Sequence, residues 1–329
     1  MCEKSKKKIL LIYHETNRHL GLWNDLNQDE RVVMLCTNEF VDVGFFLSKV
    51  RSIHLNYKIN RLINLPYKSI WYKYSHLNRY SKIIDKVLVI DGALNQLNIG
   101  SLQKLKNKKI SCFLYMLNSI NASSPILDKI RNKIFSFKWN EVLTFDGDDA
   151  RKYGFREMPF CYYSCHRIEG GLSQIRDVYF SGGLKGGREP LIFEVLSFLQ
   201  KSRVAVLFDL TTKENINLQI KEGVEIYKSW IPYEIVLERA KQSNCILEIL
   251  QEEQGGTSLR YFEAITMNKK LLTTNKNVKN YPFYDSRWIR VFSRVEDIDI
   301  DWLVRREYVD YGYNGEFSPL KLVDNIVNE

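Results

Sequence analysis

The sequence lacks any long hydrophobic run. No apolar stretch among its 329 residues approaches the ~20 residues that a membrane-spanning helix needs. The N-terminal residues MCEKSKKKILLIYH also lack the apolar core and small-residue cleavage site of a signal peptide. These absences exclude a transmembrane helix and predict a cytoplasmic chain.

Cysteines are few and follow no framework. Cys161 and Cys165 are four residues apart, but no second pair or histidine cluster completes a zinc site. We therefore expect buried thiols in strands, with no disulfide scaffold and no structural metal.

Acidic residues are absent from Val43–Ile84, where eight Lys and Arg alternate with aromatic residues. The net charge of +9 is concentrated in the first 140 residues, which hold 23 basic and 10 acidic side chains. Basic and aromatic residues together fit an anionic membrane surface, which is the interpretation we favour. Nucleic acid would use the same residue types, and a solvated basic face would need no partner; we expect no nucleic acid.

Short apolar runs repeat along the whole chain, as in parallel sheets buried on both faces. The length suggests two domains, and the polar stretch Ser164–Gln174 resembles an interdomain linker. The runs predict five strands on each side of it: Lys8–Tyr13, Arg31–Cys36, Lys86–Ile90, Ile110–Leu117, Glu141–Phe145, Asp177–Phe180, Arg203–Asp209, Val224–Tyr227, Cys245–Leu250 and Lys270–Thr274. Further short strands are predicted at Met158–Tyr163 and Trp288–Phe292.

A polar loop with Gly255 and Gly256 joins the strand Cys245–Leu250 to a predicted helix. Thr257 is the expected cap of this helix, which runs from Ser258 to Met267, and Asn268 ends it in the left-handed conformation. Amide groups at a helix start favour an anion, and the hydroxyls of Thr257 and Ser258 add donors.

Two charged residues extend this element. Arg260 supplies a cation close to the glycines, and Glu263 follows three residues later on a neighbouring helix face. Together these groups could hold a diphosphate and reach a ribose. An ordinary capped helix with a solvated Arg–Glu pair is the alternative.

A second glycine loop follows the strand Asp177–Phe180. It contains Gly182, Gly183, Lys185 and Arg188, so that backbone and positive charge could approach a phosphate together. The loop matches neither the Walker pattern nor the dinucleotide-binding GxGxxG pattern.

Three segments carry a resemblance to a known family. QGGTSLRYFEAI followed by NKKLLTT resembles the donor-site helix of GT-B glycosyltransferases that build bacterial capsule and lipopolysaccharide. The segment Asp146–Phe155 resembles the block that closes the N-terminal domain of such enzymes, and Ser181–Arg188 resembles the first loop of their C-terminal domain. Two departures stand out, since Gly255 and Asn118 occupy positions where relatives often carry acids.

The resemblance implies an α/β fold of two Rossmann-like domains facing a cleft. The expected domains are residues 1–168 on the acceptor side, 169–305 for the nucleotide sugar, and a segment 306–329 that crosses back to the first domain. The implied enzyme moves a sugar from a nucleotide sugar to a lipid-linked or growing polysaccharide acceptor. It would work without metal or cofactor, at the inner face of the bacterial cytoplasmic membrane.

The resemblance also implies roles for individual residues. Glu263 would bind the ribose, while Trp230 or Ile231 would contact the base; an aromatic staple at a helix start is the alternative for these two. The predicted donor-phosphate residues are Gly182, Gly183, Lys185, Arg188, Gly255, Gly256, Thr257, Ser258 and Arg260.

An inverting transferase also needs a general base for the acceptor hydroxyl. The candidates end predicted strands: His14 and Glu15 follow the first, and Asp91 follows Lys86–Ile90. We favour Asp91, because an acid that ends a buried strand needs a reason to be there, although capping the next turn is also such a reason.

Two other functions remain open from the sequence. Asp146-Gly147-Asp148 matches the metal-binding triplet of GT-A glycosyltransferases, although capping of a helix by Asp146 explains the same residues. A non-enzymatic two-domain protein that binds sugars or phosphates is the second alternative.

Overall fold

The computed structural model describes residues 8–16, 21–120, 125–158, 176–185, 187–212, 222–229, 231–251 and 257–328. The chain divides into two compact units. The first combines Met1–Tyr163 with Phe317–Glu329, and the second is Ser164–Glu316. The domain ends predicted from the sequence were residues 168 and 305, and the first of these lies outside the described residues.

The first unit is built on a parallel sheet of six strands in the order β2-β1-β3-β4-β5-β6. The strands are β1 Lys8–Tyr13, β2 Val32–Cys36, β3 Ile84–Ile90, β4 Ser111–Met116, β5 Glu141–Thr144 and β6 Arg156–Glu157. Continuous apolar sequences form the central strands because both faces of this sheet are covered. The short β6 lies just before the strand predicted at Met158–Tyr163; Met158 is not in a strand, and residues 159–163 lie outside the described ones.

Six described α-helices belong to the first unit. They are α1 Phe45–His54, α2 Tyr57–Leu62, α3 Ile99–Lys106, α4 Pro125–Ser136, α5 Gly147–Tyr153 and, at the end of the chain, α10 Pro319–Val327. Asp146 caps α5, and Gly154 ends it in the left-handed conformation, as predicted. Helix α10 is attached by Ser318, which donates a 2.8 Å hydrogen bond to Asp25, and by Asp324, which pairs with Arg31 at 2.7 Å.

The second unit contains another parallel sheet of six strands, in the order β12-β11-β10-β7-β8-β9. Its strands are β7 Arg176–Gly183, β8 Val206–Thr211, β9 Val224–Tyr227, β10 Ser243–Glu248, β11 Lys270–Thr273 and β12 Ile289–Val291. Its described helices are α6 Glu189–Lys201, α7 Tyr233–Lys241, α8 Leu259–Met267 and α9 Ile300–Val304. Counted within the unit this order is 3-2-1-4-5-6, that of the Rossmann fold.

Alternate residues of the second sheet separate an apolar face from a partly polar one. Val178, Phe180 and Phe208 belong to the buried apolar cluster of one face. Tyr179 and Asp209 lie on the opposite face, since neighbouring residues of a strand point to opposite sides. The strand predicted at Arg203–Asp209 begins at Val206, because Arg203 takes a positive φ of 59° in the turn after α6.

Candidate functional site

The order of strands reverses between β7 and β10 in the second unit. From β7 the chain continues to β8 on one side, whereas β10 pairs with β7 on the other. Open α/β sheets bind ligands outside the carboxyl ends of the strands at such a switch point. The predicted loop Ser181–Arg188 starts inside β7, because this strand continues to Gly183 by pairing with β8, and only its second half lies beyond the strand. The other predicted loop follows Glu248 at the end of β10.

Arg188 links the carboxyl ends of β7 and β10. Its Nε and Nη2 donate to the carbonyl of Gly183 at 3.2 and 3.0 Å, and its Nη1 donates to the carbonyl of Ile249 at 2.5 Å. Burial lowers the pKa of Arg188, and the positive charge of Arg260 lowers it further, while Glu189 raises it. Two N–H groups of the guanidinium, one on each terminal nitrogen, remain outside these three bonds. The switch point therefore holds a positioned cation.

Gly182 leaves room for this arrangement. A Cβ atom there would meet Nη2 of Arg188 and Cζ of Phe180, each at 2.9 Å. A Cβ at Gly183 would meet the Lys185 side chain at an ordinary 3.5 Å. Lys185 is exposed in the same loop.

The start of α8 differs from the prediction. Ser258, and not Thr257, is the N-cap: its Oγ accepts the N–H of Arg260 at 3.1 Å. The same hydroxyl donates its proton to the Glu248 carboxylate. The hydroxyl of Ser258 is thus committed within the protein, while Asn268 ends the helix in the left-handed conformation as predicted.

Glu248 was missed as a site residue in the sequence. It ends β10, is 2 % exposed, and also accepts a hydrogen bond from the Thr273 hydroxyl. Burial raises the pKa of the Glu248 carboxyl, and the bonds from Ser258 and Thr273 oppose that rise. The sequence signal that could have identified Glu248 is that it is the single acid within an apolar strand sequence.

Glu263 is fully buried and contacts two side chains. Its Oε1 accepts a 2.6 Å hydrogen bond from Tyr233, and its Oε2 lies 2.8 Å from Nη1 of Arg260. The Arg260 contact is an ion pair that is not aligned as a hydrogen bond. Burial raises the pKa of Glu263, whereas the Arg260 charge and the Tyr233 bond lower it. Contact with a ribose stays a prediction, and the ion pair places the Arg260 guanidinium beside this buried carboxylate.

A second buried polar network lies on the same sheet face and was also missed. Tyr179 donates a 2.7 Å hydrogen bond to Asp209, which is fully buried and is also paired with Arg239. Arg239 also binds Glu225 at 2.9 Å. This network attaches helix α7 to strands β8 and β9.

In the first unit the reversal of strand order lies between β1 and β3. His14 and Glu15 follow β1, and Asp91 and Gly92 follow β3. A Cβ atom at Gly92 would lie 3.3 Å from Cβ of His14, so the two strand ends are adjacent. The structure thus brings the three predicted base candidates to one edge of the sheet.

Asp91 is 1 % exposed and is bound from several sides. Its Oδ1 accepts from the N–H of Gly92 at 2.6 Å, and its Oδ2 accepts from Leu117 and Asn118 at 2.9–3.1 Å. Burial raises the pKa of Asp91 against these bonds. His14 and Glu15 are half-buried, and the His14 Nδ1 lies 2.9 Å from the Thr16 hydroxyl. Asp91 thus binds the backbone of the turn after β3 and of the segment after β4, and a base role for Asp91, His14 or Glu15 stays a prediction.

The remaining predictions concern the base-binding residues, the glycine pair, a metal site and the cysteines. Trp230, Gly255 and Gly256 lie outside the described residues, and Ile231 is half-buried before α7. Asp148 pairs with the exposed Arg151. Within the described ranges, no group of three His, Cys, Asp or Glu side chains could hold a metal ion. Cys36, Cys112 and Cys245 are buried free thiols, as predicted.

Comparison with known proteins gives structural neighbours only. No family model matches the sequence, and no curated protein matches it. A sucrose-phosphate synthase from Thermosynechococcus elongatus is similar at 9% identity and TM-score 0.55, over 98% of each chain.

Two further structural neighbours are a complex with UDP and an enzyme named for a UDP-sugar. An α-glucosyltransferase in complex with UDP and a 13-mer DNA is 11% identical at TM-score 0.53, covering 98% of this chain and 100% of that one. A UDP-N-acetylglucosamine 2-epimerase from Rickettsia bellii is 12% identical at TM-score 0.51, covering 98% and 96%. At these identities the likeness establishes the fold. It is the two-domain α/β architecture of GT-B glycosyltransferases, as predicted.

Proposed function

We propose that this chain is a glycosyltransferase that moves a sugar from a nucleotide-sugar donor to an acceptor. The observation that carries the proposal is Arg188, held by the carbonyls of Gly183 and Ile249 at the switch point of a Rossmann-ordered sheet. A cation there stabilises the diphosphate that leaves when the glycosidic bond forms. Fold neighbours that act in glycosyl transfer support this assignment.

The proposed donor site extends from Arg188 along the second unit. Lys185 adds charge in the same loop, and the predicted Gly255, Gly256 and Thr257 would add backbone or hydroxyl donors. Glu263 would bind the ribose, and Trp230 or Ile231 would contact the base. The ion pair with Glu263 would hold the Arg260 guanidinium in place for the donor phosphates.

Binding of nucleotides by the purified protein tests the proposal. Thermal shift with UDP, GDP, CMP and dTDP is expected to raise the melting temperature with one of them, and UDP is the first to examine. The matching radiolabelled nucleotide sugar should then label an acceptor in bacterial membrane extracts. Absence of any nucleotide-dependent shift would contradict the proposal.

The fold neighbour that is an epimerase motivates one further readout. Donor incubated without acceptor is expected to stay unchanged apart from slow hydrolysis, which NMR of the sugar would show. Conversion into a C2 epimer would assign the chain to isomerisation of the donor instead. Binding without any turnover in the presence of membrane acceptor would support the non-enzymatic alternative.

We further propose that transfer is metal-independent, because basic side chains of the second unit take the place of a cation at the diphosphate. Activity should persist in EDTA. Loss in EDTA and recovery with Mg²⁺ or Mn²⁺ would support the metal-dependent alternative and would require ligands other than the paired Asp148.

The acceptor we propose is a lipid-linked or growing bacterial surface polysaccharide at the inner face of the cytoplasmic membrane. Among the described residues, no helix is long and apolar enough to cross a bilayer. A peripheral enzyme would reach such an acceptor through its surface. Radiolabel that partitions into the organic phase after transfer would identify a lipid-linked product.

A further inference from the structure

Helices α1 and α2 bury none of their own residues. Of seventeen large apolar side chains that are exposed among the described residues, ten lie between residues 45 and 70. The most exposed are Leu62 at 85 %, Tyr67 at 79 %, Tyr57 at 78 %, and Phe45 and Phe46 at 76 % each. Such a concentration of exposed large apolar side chains marks an interaction site. We call residues 45–70 the hairpin surface.

Specific polar bonds, and not a core, hold this hairpin in shape. Asn56 caps α2 by accepting the N–H groups of Lys58 and Ile59. Asn60 donates 2.8 Å hydrogen bonds to the carbonyls of His54 and Asn56. The backbone that carries the exposed apolar side chains is therefore held in a defined conformation by hydrogen bonds.

His54 connects the hairpin to the segment that follows it. Its Nδ1 accepts a 2.7 Å hydrogen bond from Trp71, and its Nε2 lies 2.8 Å from the carbonyl of Pro66, to which it donates. Residues beyond this point pack inward, since Tyr74 and Leu77 are buried. The basic segment Val43–Ile84 thus has an outer part, the hairpin surface, and an inner part that belongs to the core.

The charge of the hairpin surface has one sign. It carries five basic residues and no acid: Lys49, Arg51, Lys58, Arg61 and Lys68. Lys49 lies 4.4 Å above the ring of Phe45, so a cation and an exposed aromatic ring share one face. A second copy of the same surface would bring equal charges together, whereas lipid phosphates would neutralise them.

We propose that the hairpin surface docks on an anionic phospholipid bilayer. Phe45, Phe46 and Leu62 enter the boundary between headgroups and acyl chains, and the basic side chains contact lipid phosphates. The purpose of this docking rests on the proposed function. The hairpin surface would bring the enzyme to a lipid-linked acceptor. Lipid binding itself requires neither nucleotide nor catalysis.

Vesicle flotation of the full chain tests the inference. We expect binding to phosphatidylcholine vesicles that contain phosphatidylglycerol, weaker binding to phosphatidylcholine alone, and release by high salt. The double variant Phe45→Ser with Phe46→Ser should lose affinity by about tenfold or more, because two large apolar side chains no longer enter the bilayer. Phe135→Ser removes an aromatic ring that is 55 % exposed elsewhere in the first unit and should bind as the wild type does.

Three outcomes would overturn the inference: no flotation of the wild type, equal flotation of the double variant, or a wild-type dimer in sedimentation that the double variant abolishes. Thermal shift with nucleotide on the same samples separates the two proposals. Absent flotation of the wild type with an intact nucleotide response refutes the membrane surface alone, while a missing nucleotide response refutes the proposed function.

Discussion

Tyr233 and Glu263 are joined by a 2.6 Å hydrogen bond between a phenol and a fully buried carboxylate. The bond connects helix α7 to helix α8, and Glu263 is also the ion-pair partner of Arg260. A side chain predicted to bind ribose is thus part of the packing of the unit as well. These two roles respond differently to substitution.

Glu263→Ala is predicted to lower the free energy of unfolding by about 3–5 kcal/mol, because Arg260 would lose its buried partner. Glu263→Gln keeps the shape and an acceptor for Tyr233, so that it should stay folded. Denaturant unfolding of the two variants measures this difference. Similar stability of Glu263→Ala and wild type would show that the ion pair contributes nothing.

The ribose role predicts a loss of affinity that depends on the ligand. In Glu263→Gln, UDP should bind about tenfold more weakly, since a hydrogen bond to a charged group contributes about 1.5–3 kcal/mol. Inorganic pyrophosphate, which has no ribose, should bind with unchanged affinity in calorimetry. Equal losses for both ligands would assign Glu263 to positioning Arg260. Tyr233→Phe is the control that removes only the hydroxyl that donates to Glu263.

Glu248 is predicted to make stability depend on pH. Burial raises its pKa, so the folded state binds a proton more readily than the unfolded state. The stabilisation is present below the ordinary value near 4.5 and is lost as pH rises through the raised pKa. The unfolding free energy of the wild type, relative to Glu248→Gln, should therefore fall as pH rises above about 4.5. A difference that stays constant with pH would contradict a raised pKa for Glu248.

Adjacent glycines provide a matched test of the Arg188 arrangement. Gly182→Ala would place its Cβ 2.9 Å from Nη2 of Arg188, and Gly183→Ala would meet only ordinary contacts at 3.5 Å. Gly182→Ala should weaken nucleotide binding about tenfold or more by displacing the guanidinium, whose charge-assisted bonds contribute about 1.5–3 kcal/mol each. Gly183→Ala should bind as the wild type does.

The replacement of Arg188 itself separates two explanations of that result. Arg188→Lys keeps the charge but cannot bridge two carbonyls with a planar fork. We expect it to lose most of the nucleotide affinity, as measured by calorimetry. Retention of wild-type affinity would mean that charge alone is sufficient and that the bridge to Ile249 has no functional role.

The strands and the loop positions could be predicted from sequence because parallel sheets place continuous apolar runs at the core. The strand Val224–Tyr227 was predicted with its observed ends, and Asp146 and Asn268 were identified as helix ends from local residue preferences. Thr257 was predicted as the cap in place of Ser258, since both hydroxyls fit the local pattern. The choice depends on Glu248, ten residues earlier, which accepts the Ser258 proton.

Long-range polar contacts explain why other site features were missed. Tyr233 and Glu263 are thirty residues apart, as are Tyr179 and Asp209, and no local pattern reports such pairs. For the same reason Arg188 was predicted as a simple phosphate cation, while its bond to Ile249 spans 61 residues. The buried acids of strands and helices were the only sequence signal, because a buried carboxylate requires partners.

The last prediction concerns the general base. Asp91 receives hydrogen bonds at both carboxylate oxygens and is buried, so Asp91→Asn should destabilise the first unit by about 1–3 kcal/mol by leaving the Gly92 N–H without its acceptor.

His14 follows the adjacent strand and is half-buried, and removal of a general base lowers the rate by about 10²–10⁴. His14→Gln should therefore lower kcat strongly with an unchanged KM for the donor and unchanged unfolding, whereas Asp91→Asn should change stability more than kcat. Glu15→Gln is the companion variant, and a kcat loss confined to Glu15→Gln would move the base to that residue. A kcat loss confined to Asp91→Asn, with its unfolding free energy intact, would return the role to Asp91.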